Sequence, residues 1–161
     1  MKKRTLVFAL ATIVAITQAA AAQKKFETYV NDRFKYTIDY PSDLLTPQDL
    51  ADNGDGRIFS APRKAAELYV WGQYNALGRT LKYEYLKDQK GRTVTYKVIF
   101  ADSYVIARLE KGTIYYQKTM LIGKDGAEDA TFATFVIKYP AKQKAKFDPI
   151  VRRLVRSFKF T

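Results

Sequence analysis

Neither histidine nor cysteine occurs anywhere in the 161 residues. That double absence removes most enzyme chemistry. Ordinary zinc sites, thiol nucleophiles and Ser-His or Cys-His dyads each need one of the two. It also removes disulfides, the usual support of a small exported domain, so stability has to come from a hydrophobic core. There is no Ser-x-x-Lys or Gly-x-Ser-x-Gly pattern and no Gly-rich phosphate loop. Nor does any Ser/Gly/Pro-rich linker, low-complexity tract or internal repeat divide the chain.

What is present first is an export leader. Lys2, Lys3 and Arg4 form a positive start, Leu6 through Ile16 an apolar run, and Ala19 to Ala22 the small residues a signal peptidase accepts. The expected cut follows Ala22. The apolar run is shorter than the roughly 20 residues a spanning helix needs. A bacterial lipid anchor would need a cysteine at the cut, and there is none. The expectation is a signal peptide over 1–22, a single globular domain over 23–161, a periplasmic or secreted location, and no transmembrane segment after cleavage. A domain of that size buries a sizeable core without help.

The whole chain carries 28 Lys+Arg against 16 Asp+Glu; without the three leader cations the balance is 25 against 16, or +9. Such a surface raises encounter rates with anionic partners. Export disfavours nucleic acid and favours anionic lipid, lipopolysaccharide, acidic wall polymers or an acidic envelope protein. The charge concentrates near the end of the chain. Between Lys138 and Lys159, eight cations face one acid, Asp148. The candidate anionic-partner face is Lys142, Lys144, Lys146, Arg152, Arg153, Arg156 and Lys159. The plainer alternative is a solvated helix face.

Strand-like runs cover Phe34–Tyr40, Arg57–Ser60, Glu67–Tyr74, Thr93–Phe100, Ser103–Leu109, Thr113–Ile122 and Thr131–Tyr139. Asp43 to Gly56 reads as polar and turn-forming. The connections between the last four runs are short, which makes neighbouring strands antiparallel. Several runs carry apolar residues on both faces. Val94, Tyr96 and Val98 oppose Ile99, and Phe132 and Val136 oppose Phe135 and Ile137. A sheet apolar on both faces must be covered on both. Thr80 is placed to cap a helix running to about Gln89. A second helix is expected to start at Asp148-Pro149, a cap followed by a residue suited to the first turn. Phe147, Ile150, Val151, Leu154, Val155 and Phe158 then form one apolar stripe, with the cations opposite.

Other motifs weigh toward structure. Asp52-Asn-Gly-Asp-Gly-Arg-Ile58 invites an EF-hand reading with Asn53 and Asp55 as ligands. The first and twelfth loop positions would be Ala51 and Pro62, which cannot ligate through side chains, so a tight turn is preferred and no metal is assigned. Tyr69, Trp71 and Tyr74 could form an aromatic binding face, but core packing is the preferred reading, since aromatics are ordinary building material in this chain. A hydrolase would need Ser42, Ser60, Ser103 or Ser157 beside a lysine of lowered pKa, or a carboxylate pair such as Asp52 and Asp55. No cofactor is expected.

Several phrases resemble the PsbP/Mog1-like group of α/β/α sandwiches, and more narrowly a family of small secreted bacterial proteins with that fold. They are Phe34-Lys-Tyr-Thr-Ile-Asp-Tyr-Pro41, Asn53-Gly-Asp-Gly-Arg-Ile-Phe59, Leu68-Tyr-Val-Trp-Gly72, Val94-Thr-Tyr-Lys97, Ile137-Lys-Tyr-Pro140 and Phe147-Asp-Pro-Ile-Val151 leading to Ser157-Phe158. The phrases are strand ends and helix caps. The resemblance therefore implies an α+β sandwich with a mainly antiparallel central sheet of five to seven strands. Relatives differ in function, from photosystem II assembly to small-GTPase binding, and no functional residue carries over. The expected function is an exported, non-enzymatic binding or accessory protein of the bacterial envelope. A hydrolase or a structural envelope-assembly protein are the alternatives.

Overall fold

The strongest alternating run becomes the centre of the molecule. In the computed structural model, which describes residues 25–161, Thr131–Pro140 is the middle strand of a seven-stranded antiparallel sheet. The strands in chain order are β1 (Phe26–Asn31), β2 (Tyr36–Pro41), β3 (Thr46–Leu50), β4 (Gly56–Ser60), β5 (Glu67–Tyr74), β6 (Val94–Ile99), β7 (Ser103–Glu110), β8 (Thr113–Ile122), β9 (Thr131–Pro140) and β10 (Lys159–Phe160). Helix α1 spans Leu81–Lys87 and α2 spans Lys144–Ser157. The large sheet runs β3-β4-β5-β9-β8-β7-β6, and every pairing in it is antiparallel. The expected export leader, residues 1–22, lies outside the described residues.

Register sorts the side chains into two faces, because cross-strand partners point the same way. Leu68 pairs Ile137 and Val70 pairs Phe135, so these four share one face. Tyr69, Trp71, Val136 and Thr134 share the other. The first face carries the main core. Phe59, Leu68, Phe135 and Ile137 meet Phe147, Ile150 and Leu154 of α2, all at most 1% exposed. The second face is covered at one end by α1, where Leu81 packs on Tyr104, Ile106, Leu121 and Phe132. Thr80 caps α1 as expected, its hydroxyl accepting from the Tyr83 N–H at 3.1 Å. The loop before it is pinned by the buried Asn75. That side chain accepts from the Arg79 N–H at 2.9 Å and donates to the Ala127 carbonyl at 2.8 Å.

Four expectations need correction. First, a second sheet exists: β1-β2-β10 lies beside α2 on the main-core side, with Tyr36 and Ile38 of β2 fully buried. Second, Asp43–Gly56 is not all turn. Thr46–Leu50 forms edge strand β3, whose Pro47 is tolerable because an edge strand has a free side. Third, α2 starts a turn early, at Lys144, with Pro149 inside it and Asp148 ion-paired to Lys144 at 2.9 Å instead of capping. A 3-10 turn at Ala141–Gln143 feeds the helix, and burying Phe147 in the same stripe outweighs the one hydrogen bond that proline removes. Fourth, β6 is an edge strand and is not covered on both faces; Tyr96 and Ile99 are 54% and 40% exposed.

Candidate functional site

The amphipathic pattern of α2 fixes the candidate face. Phe147, Ile150, Val151 and Leu154 are buried against both sheets, and fully burying such a side chain contributes about 1.5–3 kcal/mol each. With the stripe locked inward, the opposite side of the helix has to face water. All seven predicted cations are exposed. The structure spreads them over three elements. Lys142 sits in the 3-10 turn before α2, and Lys144, Lys146, Arg152, Arg153 and Arg156 on the helix itself. Lys159 is not helical. The helix ends at Ser157, Phe158 turns extended while staying buried, and Lys159 begins β10 opposite Thr37 of β2.

The cations are not equivalent. Lys144 is paired with Asp148. Arg153 reaches across to the small sheet, with its Nε and Nη2 at 2.7 and 2.6 Å from Asp39 Oδ2, and lies over the Phe26 ring at 5.7 Å. Lys146 lies 5.9 Å from the Phe147 ring centre. Lys142, Arg152, Arg156 and Lys159 make no ion pair among the described residues. No acid lies in the first turn of α2. Arg156 in the last turn also complements the negative end of the helix dipole.

Beside this face lies an open cleft of about 510 Å³, between the last turn of α2 and the outer side of the small sheet. Arg153, Arg156 and Lys159 line it together with the hydroxyls of Thr28, Thr37 and Ser157. Asp39 is its acid. That carboxylate is already satisfied by Arg153 on Oδ2 and by the Thr28 hydroxyl, which donates to Oδ1 at 2.8 Å. Sequence reasoning missed Asp39, Thr28 and Thr37. They reach α2 only because β2 docks beside the helix, with β1 and the two-residue β10 paired to it, and such long-range pairings leave no periodic signal.

The aromatic strand residues separate. Tyr69 and Trp71 lie on the α1 side of the large sheet, half-buried, and line a second groove of about 390 Å³ with Leu50 and Ile58. Tyr74 lies on the opposite face, its ring 4.8 Å from Phe34. The three do not form one platform. Tyr69 and Trp71 are groove-lining, not fully packed into the core.

The hydrolase constellation is not assembled among the described residues. None of the four serines hydrogen-bonds to a lysine amine. Ser60 donates to Glu67 at 3.3 Å, Ser103 to Asp102 at 3.1 Å, and Ser157 to the Leu154 carbonyl at 3.3 Å. Lys138, near Ser60, is held above its ordinary range by the Glu67 carboxylate, the wrong direction for a base. Lys118 is pushed down by burial, but its amine donates to the Val155 carbonyl at 3.1 Å. Asp55 is engaged by Arg33 at 2.9 Å, not by a second acid. Its stretch of chain is a turn, with Gly54 at φ 69° and the Gly54 N–H donating to the Ala51 carbonyl. Among the described residues no group of three or more acidic residues is placed to hold a metal ion. No helix among them is long and apolar enough to cross a membrane.

No protein-family model matches the chain, and no curated protein matches it. Among solved structures it is similar to the solution structure of cyanobacterial PsbP (CyanoP) from Synechocystis sp. PCC 6803. The identity is 13%, the TM-score 0.51, and the match covers 94% of this chain and 99% of that one. At that identity the likeness is one of fold. The chain has a PsbP-like α+β fold, as its strand-end and cap phrases imply.

Proposed function

We propose that this is an exported, non-catalytic binding protein of the bacterial envelope that engages an anionic surface through the outward side of α2 and the adjoining β10. One observation carries the reading: four cations, Lys142, Arg152, Arg156 and Lys159, stand exposed on one side of the molecule with no acid paired to them. Self-contained surface charge is normally interspersed with the opposite sign. The leader-like first 22 residues support export, and the absence of histidine and cysteine supports a role in binding over one in turnover. The PsbP-like fold is compatible with an accessory role, although fold alone does not determine function. On this reading the chain belongs with small secreted bacterial proteins, and its partner is anionic lipid, lipopolysaccharide, a wall polymer or an acidic envelope protein.

Vesicle co-sedimentation tests it. The protein is expected to pellet with vesicles containing phosphatidylglycerol and not with pure phosphatidylcholine. Binding should fall steeply as salt shortens the screening length below about 8 Å. Arg152→Glu together with Arg156→Glu should reduce retention at least tenfold. Equal retention on neutral and anionic vesicles, or no salt dependence, would end the proposal.

A further inference from the structure

We infer that the cleft between the last turn of α2 and the outer side of the small sheet is a discrete site for a phosphate group. It rests on reading the α2 side as the partner-facing one, but its test is separate. Three features set the cleft apart from a merely basic patch.

The first is that its acid is spent. Asp39 gives one carboxylate oxygen to Arg153 and the other to the Thr28 hydroxyl, while its N–H is held by Ser157 Oγ at 2.9 Å. Arg156 and Lys159 are then left as uncompensated cations on either wall. The second is rigidity. Lys159 is fixed by backbone pairing to Thr37, and the Thr161 N–H donates to the Lys35 carbonyl at 2.8 Å. Arg153 is clamped between Asp39 and the Phe26 ring. The third is unused donor capacity. Thr37 is only 9% exposed and lines the cleft, yet its hydroxyl makes no hydrogen bond among the described residues; nor does the Thr161 hydroxyl beside it. Both hydroxyls touch the water of the cleft, so a ligand oxygen can take the place of solvent on them.

A phosphate ester matches this set. It carries up to two negative charges and several acceptor oxygens. Arg156 offers a planar fork to two of them, Lys159 a point charge, and Thr37 a neutral hydroxyl donor. The cleft is open on the solvent side, so the rest of a phosphoglycerol headgroup or a phosphodiester polymer can leave it without being enclosed.

Titration with inorganic phosphate at constant ionic strength, followed by amide chemical shifts, tests the site. The expected result is saturable shifts at Thr37, Lys159 and Thr161. Arg156→Gln and Lys159→Gln should each weaken binding about tenfold. Thr37→Val, which changes no charge, should weaken it severalfold. Lys90→Gln removes the same charge from an exposed position beyond the end of α1, away from the cleft, and should stay within twofold. Melting temperatures confirm that each variant is folded. Shifts that track ionic strength alone, or equal losses in Lys90→Gln and Arg156→Gln, overturn the site. Two further probes separate the sources of phosphate. Glycerol 1-phosphate that releases protein from phosphatidylglycerol vesicles marks a lipid headgroup as the ligand. Glycerol 1-phosphate bound in the cleft without such release marks a soluble ester or polymer. Vesicle binding with no phosphate response would leave the α2 reading standing and remove the cleft. A phosphate response without vesicle binding would do the opposite.

Discussion

Glu67 shows how a single residue fixes the uncovered side of the sheet. It starts β5, is 3% exposed, and pairs with Lys138 of β9 at 2.5 Å. Burial pushes its carboxyl up, but hydrogen bonds from Lys138 and Tyr69 more than offset this and hold it below the ordinary range. A depressed carboxyl adds stability above the unfolded pKa, about 4.3, and loses it as pH falls through the lower folded value. Glu67→Gln should therefore cost about 1–2 kcal/mol at neutral pH, at the modest end because the Lys138 amine is partly exposed to water. Denaturant unfolding at several pH values checks this. The gap between wild type and variant should narrow in acid, and a gap independent of pH would contradict the assignment. The pair was not legible in the sequence. Glu67 and Lys138 meet only through the β5–β9 register, a long-range fact with no local signature. The same holds for Asn75, whose carbonyl partner Ala127 belongs to a distant loop.

At the scale of elements, α2 was the most legible part and also the most instructive error. Its buried stripe at i, i+3, i+4 and i+7 could be read directly, because a helix docking on a sheet needs just that spacing. Its start could not. Asp148-Pro149 imitates an N-terminus, and only the packed Phe147, stacked on Tyr139 with ring centres 4.4 Å apart, draws the helix back by a turn. Leu154 is fully buried between α2 and the sheets. Leu154→Ala should cost about 2–5 kcal/mol, through lost transfer energy plus a residual cavity. Arg152→Ala on the exposed side should change stability by no more than about 0.5 kcal/mol. Chemical denaturation with unchanged m-values checks both. Comparable losses at the two positions would mean that the helix is not docked as described.

At the scale of the molecule, the antiparallel run β6 to β9 was legible because short connections leave little choice of topology. The second sheet was not. Its third strand has two residues and its partner lies more than a hundred positions away, below any sequence window. The candidate site divides the same way. That the cations would be exposed follows from the stripe. Which of them are consumed follows only from the fold, since Asp39 reaches Arg153 through the small sheet. Two surfaces then compete as the working side: the basic one on α2 and β10, and the Tyr69–Trp71 groove across the large sheet. Amide hydrogen exchange with and without phosphatidylglycerol vesicles distinguishes them most directly. The account predicts slowed exchange over residues 142–161 and Thr37, with the β4–β5 hairpin unchanged. Slowing centred on Tyr69 and Trp71, or none anywhere under conditions where the protein is vesicle-bound, would contradict it.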